Sequence, residues 1–249
     1  MVGLNLERRW ARCLALCSLS VGVLVLGGCA TSKGPGDARD PFESVNRATY
    51  SFNTTLDKVA IKPVAQAYNA VVPQPVRSCV ANVFGNISDA YTGVNNLLEG
   101  NGADAFSDLC RVSINTTAGV LGCFDVAAGM GYDKHRKDFG ITLGVWGVAA
   151  GPYVVLPFFG PSDVRDTVGL VGDLYADPVG YLYPVWQRNT AEGVRIIELR
   201  AGFIDAGNLL QGAALDEYIF VRDGYLTRRR FQIYNGNPPD DYDDATEKK

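Results

Sequence analysis

The residues best suited to covalent chemistry end an apolar run near the N-terminus, in the order Leu26-Gly27-Gly28-Cys29. Small side chains ahead of the cysteine suit a signal peptidase, and the Cys29 thiol can carry a diacylglycerol. Three arginines precede the apolar run, which spans 14–26 and is too short to cross a bilayer comfortably. We therefore predict that residues 1–28 form a lipoprotein signal peptide and that Cys29 is acylated after cleavage.

The predicted anchor also implies a location. Two or three acyl chains, at roughly 0.8 kcal/mol per buried methylene, hold a protein firmly on a membrane. By analogy with bacterial sorting rules, Ala30 after the cysteine predicts the cell outer membrane, on its periplasmic side. Residues 29–39 are polar and rich in glycine and proline, which predicts a flexible tether. The N-acyl and S-diacylglycerol groups on Cys29 are the covalent additions we expect, and no cofactor is expected.

Three cysteines remain beyond the anchor, namely Cys79, Cys110 and Cys123. The periplasm permits disulfides, and an odd number of cysteines cannot all pair within one chain. One bridge with one free thiol is the favoured interpretation, but the spacing does not say which two cysteines pair. A metal site is not expected, because His135 is the only histidine and no CxxC motif occurs.

Catalytic motifs are missing from the sequence, which has no GxSxG elbow, no P-loop and no HExxH. His135 lies in the charged run 133–137, which is typical of a solvated loop. The carboxylates of Asp163 and Asp166 are spaced as helix caps and salt-bridge partners rather than as a glycosidase pair. We therefore predict that the protein is not an enzyme.

The charge of the chain excludes further classes of function. The formal net charge is −4, and the segment 1–28 removes three arginines and one glutamate, which leaves −6. An acidic chain is a poor ligand for nucleic acid or for anionic lipid surfaces. Part of this acidity follows Pro238-Pro239, so residues 235–249 are predicted to form an acidic, disordered tail.

Apolar residues recur at helical spacing through most of residues 40–234, which predicts a single, mainly α-helical domain. Asp40 as N-cap, with Pro41 in the first turn and Glu43 three residues on, predicts a helix start. Lys62-Pro63 and Val72-Pro73 predict breaks. A helix over 77–99 has one apolar face, whose residues are Val80, Val83, Phe84, Ile87, Tyr91, Val94 and Leu98.

Further helices are predicted over 103–118, over 189–210 and over 216–234. Asn189 with Glu192 three residues later predicts the start of the second of these. Arg228, Arg229 and Arg230 lie near the end of the last, where positive charge suits the helix dipole. A solvated basic terminus is favoured there over a patch that binds a partner.

The segment from Phe139 to Ser162 carries no charge and is punctuated by glycine and proline. A lipid-exposed helix could not easily satisfy its backbone groups with that pattern. Three interpretations stay open: an irregular core segment, a strand-turn-strand pair, or a stretch at a membrane interface or channel lining. Amphipathic aromatic rings suit the headgroup level of a bilayer, and Tyr175, Tyr181, Tyr183 and Trp186 could act in this way, although aromatic residues more often fill a core. The candidate membrane or pore residues are Phe139, Gly140, Leu143, Gly144, Trp146, Gly147, Gly151, Pro152, Tyr153, Leu156, Pro157 and Phe158.

A series of motifs resembles the MlaA family, also called VacJ lipoproteins, over nearly all of residues 40–234. The candidate N-terminal motif of this series consists of Asp40, Pro41, Phe42, Glu43, Asn46, Arg47, Phe52 and Asn53. The later motifs are Lys62-Pro63-Val64-Ala65, Asn95-Asn96-Leu97-Leu98-Glu99-Gly100, Asn115-Thr116-Thr117-Ala118-Gly119, Asp138-Phe139-Gly140, Trp146-Gly147-Val148, Gly151-Pro152-Tyr153, Leu156-Pro157 and Val221-Arg222-Asp223.

This resemblance implies a ring-like helical bundle embedded in the inner leaflet of the outer membrane, with the glycine- and proline-rich apolar segment as a connection. It also implies the removal of phospholipids misplaced in the outer leaflet. They would pass through an amphipathic pore to a soluble periplasmic lipid carrier, which maintains lipid asymmetry. A trimeric porin is the implied partner in the outer-membrane bilayer.

Two other functions stay open at this point. One is a porin-associated structural or scaffolding lipoprotein that moves no lipid. The other is a periplasmic hydrolase acting on lipid, for which the sequence offers no convincing nucleophile or base. The sequence does not identify the pore-lining residues one by one, and the direction of lipid flow rests on the resemblance alone.

Overall fold

The computed structural model describes residues 37–239, apart from the side chains of residues 209–213. The predicted signal peptide, Cys29, most of the tether and the tail from residue 240 lie outside the described residues. In chain order the helices are α1 (Glu43–Leu56), α2 (Lys62–Val71), α3 (Gln74–Leu98), α4 (Gly102–Thr117), α5 (Val126–Gly129), α6 (Phe139–Val145), α7 (Val164–Ala176), α8 (Val185–Gly202), α9 (Ile204–Ala213) and α10 (Glu217–Ile233). A hairpin of strands β1 (Tyr153–Leu156) and β2 (Gly160–Asp163) lies between α6 and α7. The mainly α prediction is confirmed.

The first helix does not begin as the sequence pattern suggests. Phe42 occupies the N-cap position without a side-chain cap, and Asp40 is buried, where it accepts a hydrogen bond from Asn46. The prediction that Asp40 caps this helix and that Pro41 lies in its first turn was wrong. The hydrogen bond from Asn46 to the buried Asp40 carboxylate stabilises the fold more than a helix cap would, because burying a carboxylate without a partner costs much free energy.

The predicted break at Lys62-Pro63 was also wrong. Residues Asp57–Ile61 form a π-helical turn that joins α1 directly to α2, with Pro63 in the first turn of α2. A π turn shifts the backbone hydrogen bonds by one residue, as in the bond from the Lys62 N–H to the Asp57 carbonyl. The proline is thereby accommodated, and the chain first leaves the helix at Val72-Pro73.

Helices α3 and α4 pack against each other as an antiparallel pair joined by a turn at Gly100, which has φ +80°. A disulfide between Cys79 in α3 and Cys123 after α4 closes the far end of this pair, and Cys110 is a free thiol. The favoured interpretation of one bridge and one free thiol is confirmed.

The uncharged segment is partly helix and partly hairpin. Its first part forms α6, and its last part forms the antiparallel hairpin, in which Tyr153 lies opposite Asp163 and Leu156 opposite Gly160. The strand-turn-strand interpretation is therefore confirmed for residues 153–163. Gly160 has φ +85°, a conformation that glycine adopts without steric cost and that lets this tight turn close.

The C-terminal half contains α7, a 3₁₀ turn at Pro178–Tyr181, and helices α8 to α10. Asn189 does not cap a helix, because α8 already begins at Val185 after Pro184. The helix predicted over 189–210 is interrupted at Phe203, which separates α8 from α9. Within residues 37–239, none of the helices combines the length and the hydropathy needed to cross a bilayer.

Candidate functional site

The described part of the chain buries polar residues and exposes large apolar ones. The side chains buried most completely include Arg111, Asn95, Asn96, Asp89 and Asp108. Purely apolar clusters are small: one is built on Ala65, Ala201 and Ile204, and the other on Tyr153, Val155 and Tyr218. This arrangement differs from that of an ordinary water-soluble domain, in which the residues most often fully buried are apolar.

Helix α3 shows the reversal most clearly. The residues that it buries are Asn86, Asp89, Thr92, Gly93, Asn95 and Asn96. None of the seven apolar residues of the predicted face is buried, and Val94 and Leu98 are exposed. The helical spacing was correct, but the face that is buried is the polar one.

The N-terminal motif and the uncharged segment meet through two asparagines. The Asn46 amide donates to the Tyr153 carbonyl at 3.0 Å, and its oxygen accepts from the Val155 N–H at 2.9 Å. Asn53 repeats the pattern two turns later. Its amide donates to the Leu156 carbonyl at 2.9 Å, and its oxygen accepts from the Phe158 N–H at 2.9 Å. The two side chains thus pair with the free edge of β1 as a neighbouring strand would.

Two charged residues of the same motif bind the start of α10. Asp40 accepts hydrogen bonds from the Tyr218 hydroxyl and from Arg222. Arg47 pairs with Asp216 at 2.8 Å and lies over the Tyr218 ring at 4.4 Å from its centroid. The hydrogen bond from Arg47 lowers the pKa of the Asp216 carboxyl below its ordinary value. These contacts join the N-terminal and C-terminal helices around the hairpin.

A second buried cluster holds α6, α7 and α10 together. Arg229 from α10 pairs with Asp138 and with Asp166, and Tyr225 donates to the same Asp166. Arg165 adds a further pair to Asp166 at 2.8 Å. Burial raises the pKa of Asp166, but the hydrogen bond and charge of Arg229 outweigh burial and hold that pKa below its usual range. Asp166 is therefore a charged anchor rather than a proton carrier.

Glycines allow α6 and α7 to touch at the backbone. A Cβ added at Gly169 would lie 2.6 Å from the Gly140 Cα, and one at Gly140 would lie 2.6 Å from Asp166 Oδ1. A Cβ at Gly144 would lie 2.8 Å from Arg165 Nη1. The glycines of the uncharged segment thus serve close helix packing beside the ion-pair cluster.

A third cluster fills the space between α3 and α4. Arg111, with a side chain 1% exposed, pairs with Asp89 at 3.0 Å and with Asp125 at 2.8 Å. From the following segment, Lys134 pairs with Asp89, and His135 Nδ1 lies 2.9 Å from Asp108 Oδ1.

Lys137 completes this third cluster and pairs with the buried Glu99 at 2.7 Å. The prediction that the charged run 133–137 is a solvated loop was therefore wrong for His135 and Lys137, whereas Lys134 is exposed and only its ammonium pairs with Asp89. The ammonium groups of Lys134 and Lys137 neutralise carboxylates that α3 and α4 turn inward, and His135 lies within hydrogen-bond distance of Asp108.

The candidate pore residues do not form one surface. Gly140 and Tyr153 are buried, whereas Trp146, Gly147, Gly151, Pro157 and Phe158 are exposed. Trp146 is 53% exposed and donates through Nε1 to the Leu98 carbonyl. Phe158 is 73% exposed at the hairpin turn and packs edge-on against Phe52. Their role in a pore stays a prediction.

Apolar residues are exposed along most elements. The four aromatic residues Tyr175, Tyr181, Tyr183 and Trp186 are all exposed around the 3₁₀ turn and the start of α8.

The prediction that Asp163 serves as a helix cap is confirmed. Its carboxylate accepts a hydrogen bond from the Asp166 N–H at the start of α7. Among the described residues, no group of three or more histidine, cysteine, aspartate and glutamate side chains is arranged to hold a metal ion.

Sequence reasoning missed the inward polar faces, although a signal for them exists. Asn86, Asp89, Gly93 and Asn96 follow one another at spacings of three and four, as a buried helix face does. The equivalent residues of α4 are Asp108, Arg111 and Asn115. The periodic residues that these two helices bury are polar, whereas the usual signal of a buried helix face is a period of apolar residues.

Fold and interior together define a class: a mainly helical protein with many exposed large apolar side chains around buried networks of ion pairs and amides. The family model for MlaA lipoproteins matches residues 38–232. The Escherichia coli K12 protein "Intermembrane phospholipid transport system lipoprotein MlaA" is 38% identical over 233 residues, which cover 90% of each chain. The Haemophilus influenzae protein of the same name is 32% identical over 228 residues, 87% of this chain and 89% of that one.

A solved structure presented as "Structural basis for maintenance of bacterial outer membrane lipid asymmetry" has the same fold. It superposes with a TM-score of 0.68 at 35% identity and covers 78% of this chain and 98% of its own. The chain belongs to the MlaA lipoprotein family, as the motif resemblance predicted.

Proposed function

We propose that this protein is an outer-membrane lipoprotein that removes mislocalised phospholipids from the outer leaflet. The lipids pass through an amphipathic pore to a soluble periplasmic carrier, and lipid asymmetry is maintained. The names of the relatives support phospholipid transport rather than catalysis. The observation that carries the proposal is the reversed distribution of polarity, with ion pairs inside and large apolar side chains outside.

The physical reason for placing this surface in a membrane is the free-energy cost of exposing large apolar side chains to water. Soluble monomers rarely expose apolar patches above a few hundred Å², because exposed apolar area costs about 25 cal/mol per Å². Exposed residues such as Phe158, Trp146 and Val168 are instead suited to acyl chains. We propose that a ring of these helices lies in the inner leaflet, held there by the acyl groups of Cys29.

A polar interior within an apolar exterior also suits the cargo. A phospholipid headgroup needs hydrogen-bonding groups along its route, whereas its tails need an apolar one. The exposed side chains of the 139–162 segment, such as Trp146 and Phe158, supply apolar surface for the tails. A trimeric porin is the proposed partner in the bilayer, on the basis of the family resemblance.

Lipid A palmitoylation, a reporter of surface phospholipid, tests the proposal in cells that lack this protein. We expect the signal to rise on deletion and to fall again when the intact gene is supplied. Cys29→Ala should fail to restore it, because the protein would lose its anchor. Phe158→Asp should also fail, since it places a charge on the apolar surface, whereas Asn237→Asp at an exposed polar position should restore it.

The alternative of a scaffolding lipoprotein predicts another result. In a strain that makes the reporter enzyme, deletion would then leave palmitoylation unchanged while porin assembly or envelope integrity suffers. That outcome would overturn the transport proposal and would leave the family membership as a statement about fold.

A further inference from the structure

A groove of about 640 Å³ opens between the segment 133–137 and the C-terminal half of α10. The side of the groove formed by the segment contains His135, Arg136 and Lys137, and the side formed by α10 contains Arg228, Phe231 and Gln232. Asp104 is the single carboxylate that lines it. We call this feature the basic groove. It is a concentration of positive charge on a chain that is acidic as a whole.

Lys137 is a structural part of the basic groove. Its ammonium donates to Glu99 at 2.7 Å, to Asn235 Oδ1 at 2.7 Å and to the Gln232 carbonyl at 3.3 Å. An ammonium has three donors, so these contacts leave none for a ligand. They tie the segment 133–137 to α10 and keep the two sides of the groove together.

Arg136 and Arg228 differ from Lys137 in having no hydrogen bond or ion pair to any residue that the structure describes. Both residues are exposed and line the same groove, Arg136 on the segment 133–137 and Arg228 on α10. A guanidinium carries five donors in a planar fork that matches the oxygens of a phosphate. Two unpaired guanidinium groups in one groove therefore form a binding site for an anion with several oxygens.

The groove also has an apolar wall, which narrows the ligand class. The Phe231 ring lines it and is 47% exposed. Inorganic phosphate gains nothing from such a wall, whereas the glycerol and first acyl carbons of a lipid bury apolar area against it. The volume falls within the range of small-molecule sites.

We propose that the basic groove binds the phosphodiester of an anionic phospholipid, with Arg136 and Arg228 on the phosphate oxygens and Phe231 against the glycerol. This inference rests on the proposed function in taking phospholipid as the molecule that meets this protein. It adds a headgroup site formed by residues outside the N-terminal motif and the 139–162 segment.

Calorimetric titration of the full acylated protein in a neutral detergent tests this site at low ionic strength. The probes are dihexanoyl phosphatidylglycerol and inorganic phosphate. Arg136→Gln and Arg228→Gln should each weaken binding of the lipid about tenfold, since each removes charge-assisted hydrogen bonds. Lys58→Gln is the matched control, because Lys58 is exposed, lies away from the groove and changes the charge by the same amount.

Equal lipid affinity in the two arginine variants and the control would overturn the proposal. Arg-dependent binding of inorganic phosphate without binding of the lipid would overturn it as well, since the ligand would then be the free anion. The palmitoylation assay separates this inference from the proposed function. Rescue by the wild type, together with unaltered lipid affinity in the arginine variants, would refute the groove alone, and failure of the wild type to rescue would refute transport.

Discussion

At the scale of single residues, the fold depends on side chains that satisfy polar groups away from water. Asn46 is an example, because one amide serves Asp40, the Tyr153 carbonyl and the Val155 N–H. The position of Asn46 in the sequence gives no indication of these contacts. The Tyr153 and Val155 partners lie more than a hundred residues further along the chain, and only the folded structure reveals them.

Asn46→Ala should lower the free energy of unfolding by about 3 kcal/mol, because it removes one hydrogen bond from the buried Asp40 carboxylate and leaves two backbone groups without partners. The measurement is a denaturant titration of the purified protein in a neutral detergent. Asn189→Ala, on the exposed face of α8, should change the same quantity by less than about 0.5 kcal/mol. Equal effects of the two substitutions would show that the Asn46 contacts do not stabilise the fold.

Asp216 provides a pH-dependent test at the same scale. Its pKa is lowered by the hydrogen bond from Arg47, so the charged form stabilises the fold above the ordinary carboxylate pKa. This stabilisation should disappear as the pH falls through the lowered pKa. The pair is partly exposed, so Asp216→Asn should reduce stability at neutral pH by less than about 1 kcal/mol.

Thermal unfolding between neutral and strongly acidic pH measures this difference. Asparagine still caps α10, so the comparison isolates the charge. The wild type and Asp216→Asn should converge in Tm at the acidic end. A gap in Tm that stays constant throughout would contradict the role of the Arg47 pair.

At the scale of elements, contact between α6 and α7 requires glycine at their crossing. Gly169→Ala should destabilise the protein by about 2 kcal/mol, since the added methyl meets the Gly140 backbone. Gly193→Ala in α8 meets nothing within 4 Å and should stabilise it by about 0.5 to 1 kcal/mol. Opposite shifts in Tm are expected, and a stabilising Gly169→Ala would refute close packing.

The disulfide provides a second test at this scale. Cys79 and Cys123 are separated by 44 residues, and closing such a loop stabilises a fold by about 4 kcal/mol in the chain-entropy model. The double substitution of both cysteines by serine should lower the free energy of unfolding by an amount of this order. Cys110→Ser should have little effect, and reductant should reproduce the double variant. If reductant left the free energy of unfolding of the wild type unchanged, this expectation would be contradicted.

Sequence patterns predicted most of the elements but not all of their ends. Helical spacing identified the regions of α3, α4 and α10, and the absence of charge marked the 139–162 segment. The end of α1 could not be predicted, because a π turn absorbs Pro63 and depends on local geometry. The start at Asp40 was misjudged since a long-range partner, Tyr218, competes with a local cap.

At the scale of the whole molecule, the decisive property is which faces of the helices are turned inward. Periodicity alone identifies two faces, and the choice between them depends on the surrounding solvent. An ordinary aqueous setting would bury Val94 and Leu98, whereas the structure buries Asn95 and Asn96. The sequence motifs identified the family, but the reversed polarity became visible only in the folded chain.

The most direct test of this reversal is quenching of Trp146 by brominated acyl-chain phospholipids in vesicles that hold the acylated protein. Of the three tryptophans, Trp10 lies in the predicted signal peptide, and Trp186→Phe leaves Trp146 as the reporter. We predict strong quenching by the brominated lipid and weak quenching by aqueous acrylamide. Quenching by acrylamide without quenching by brominated lipid would place this surface in water and would contradict the account.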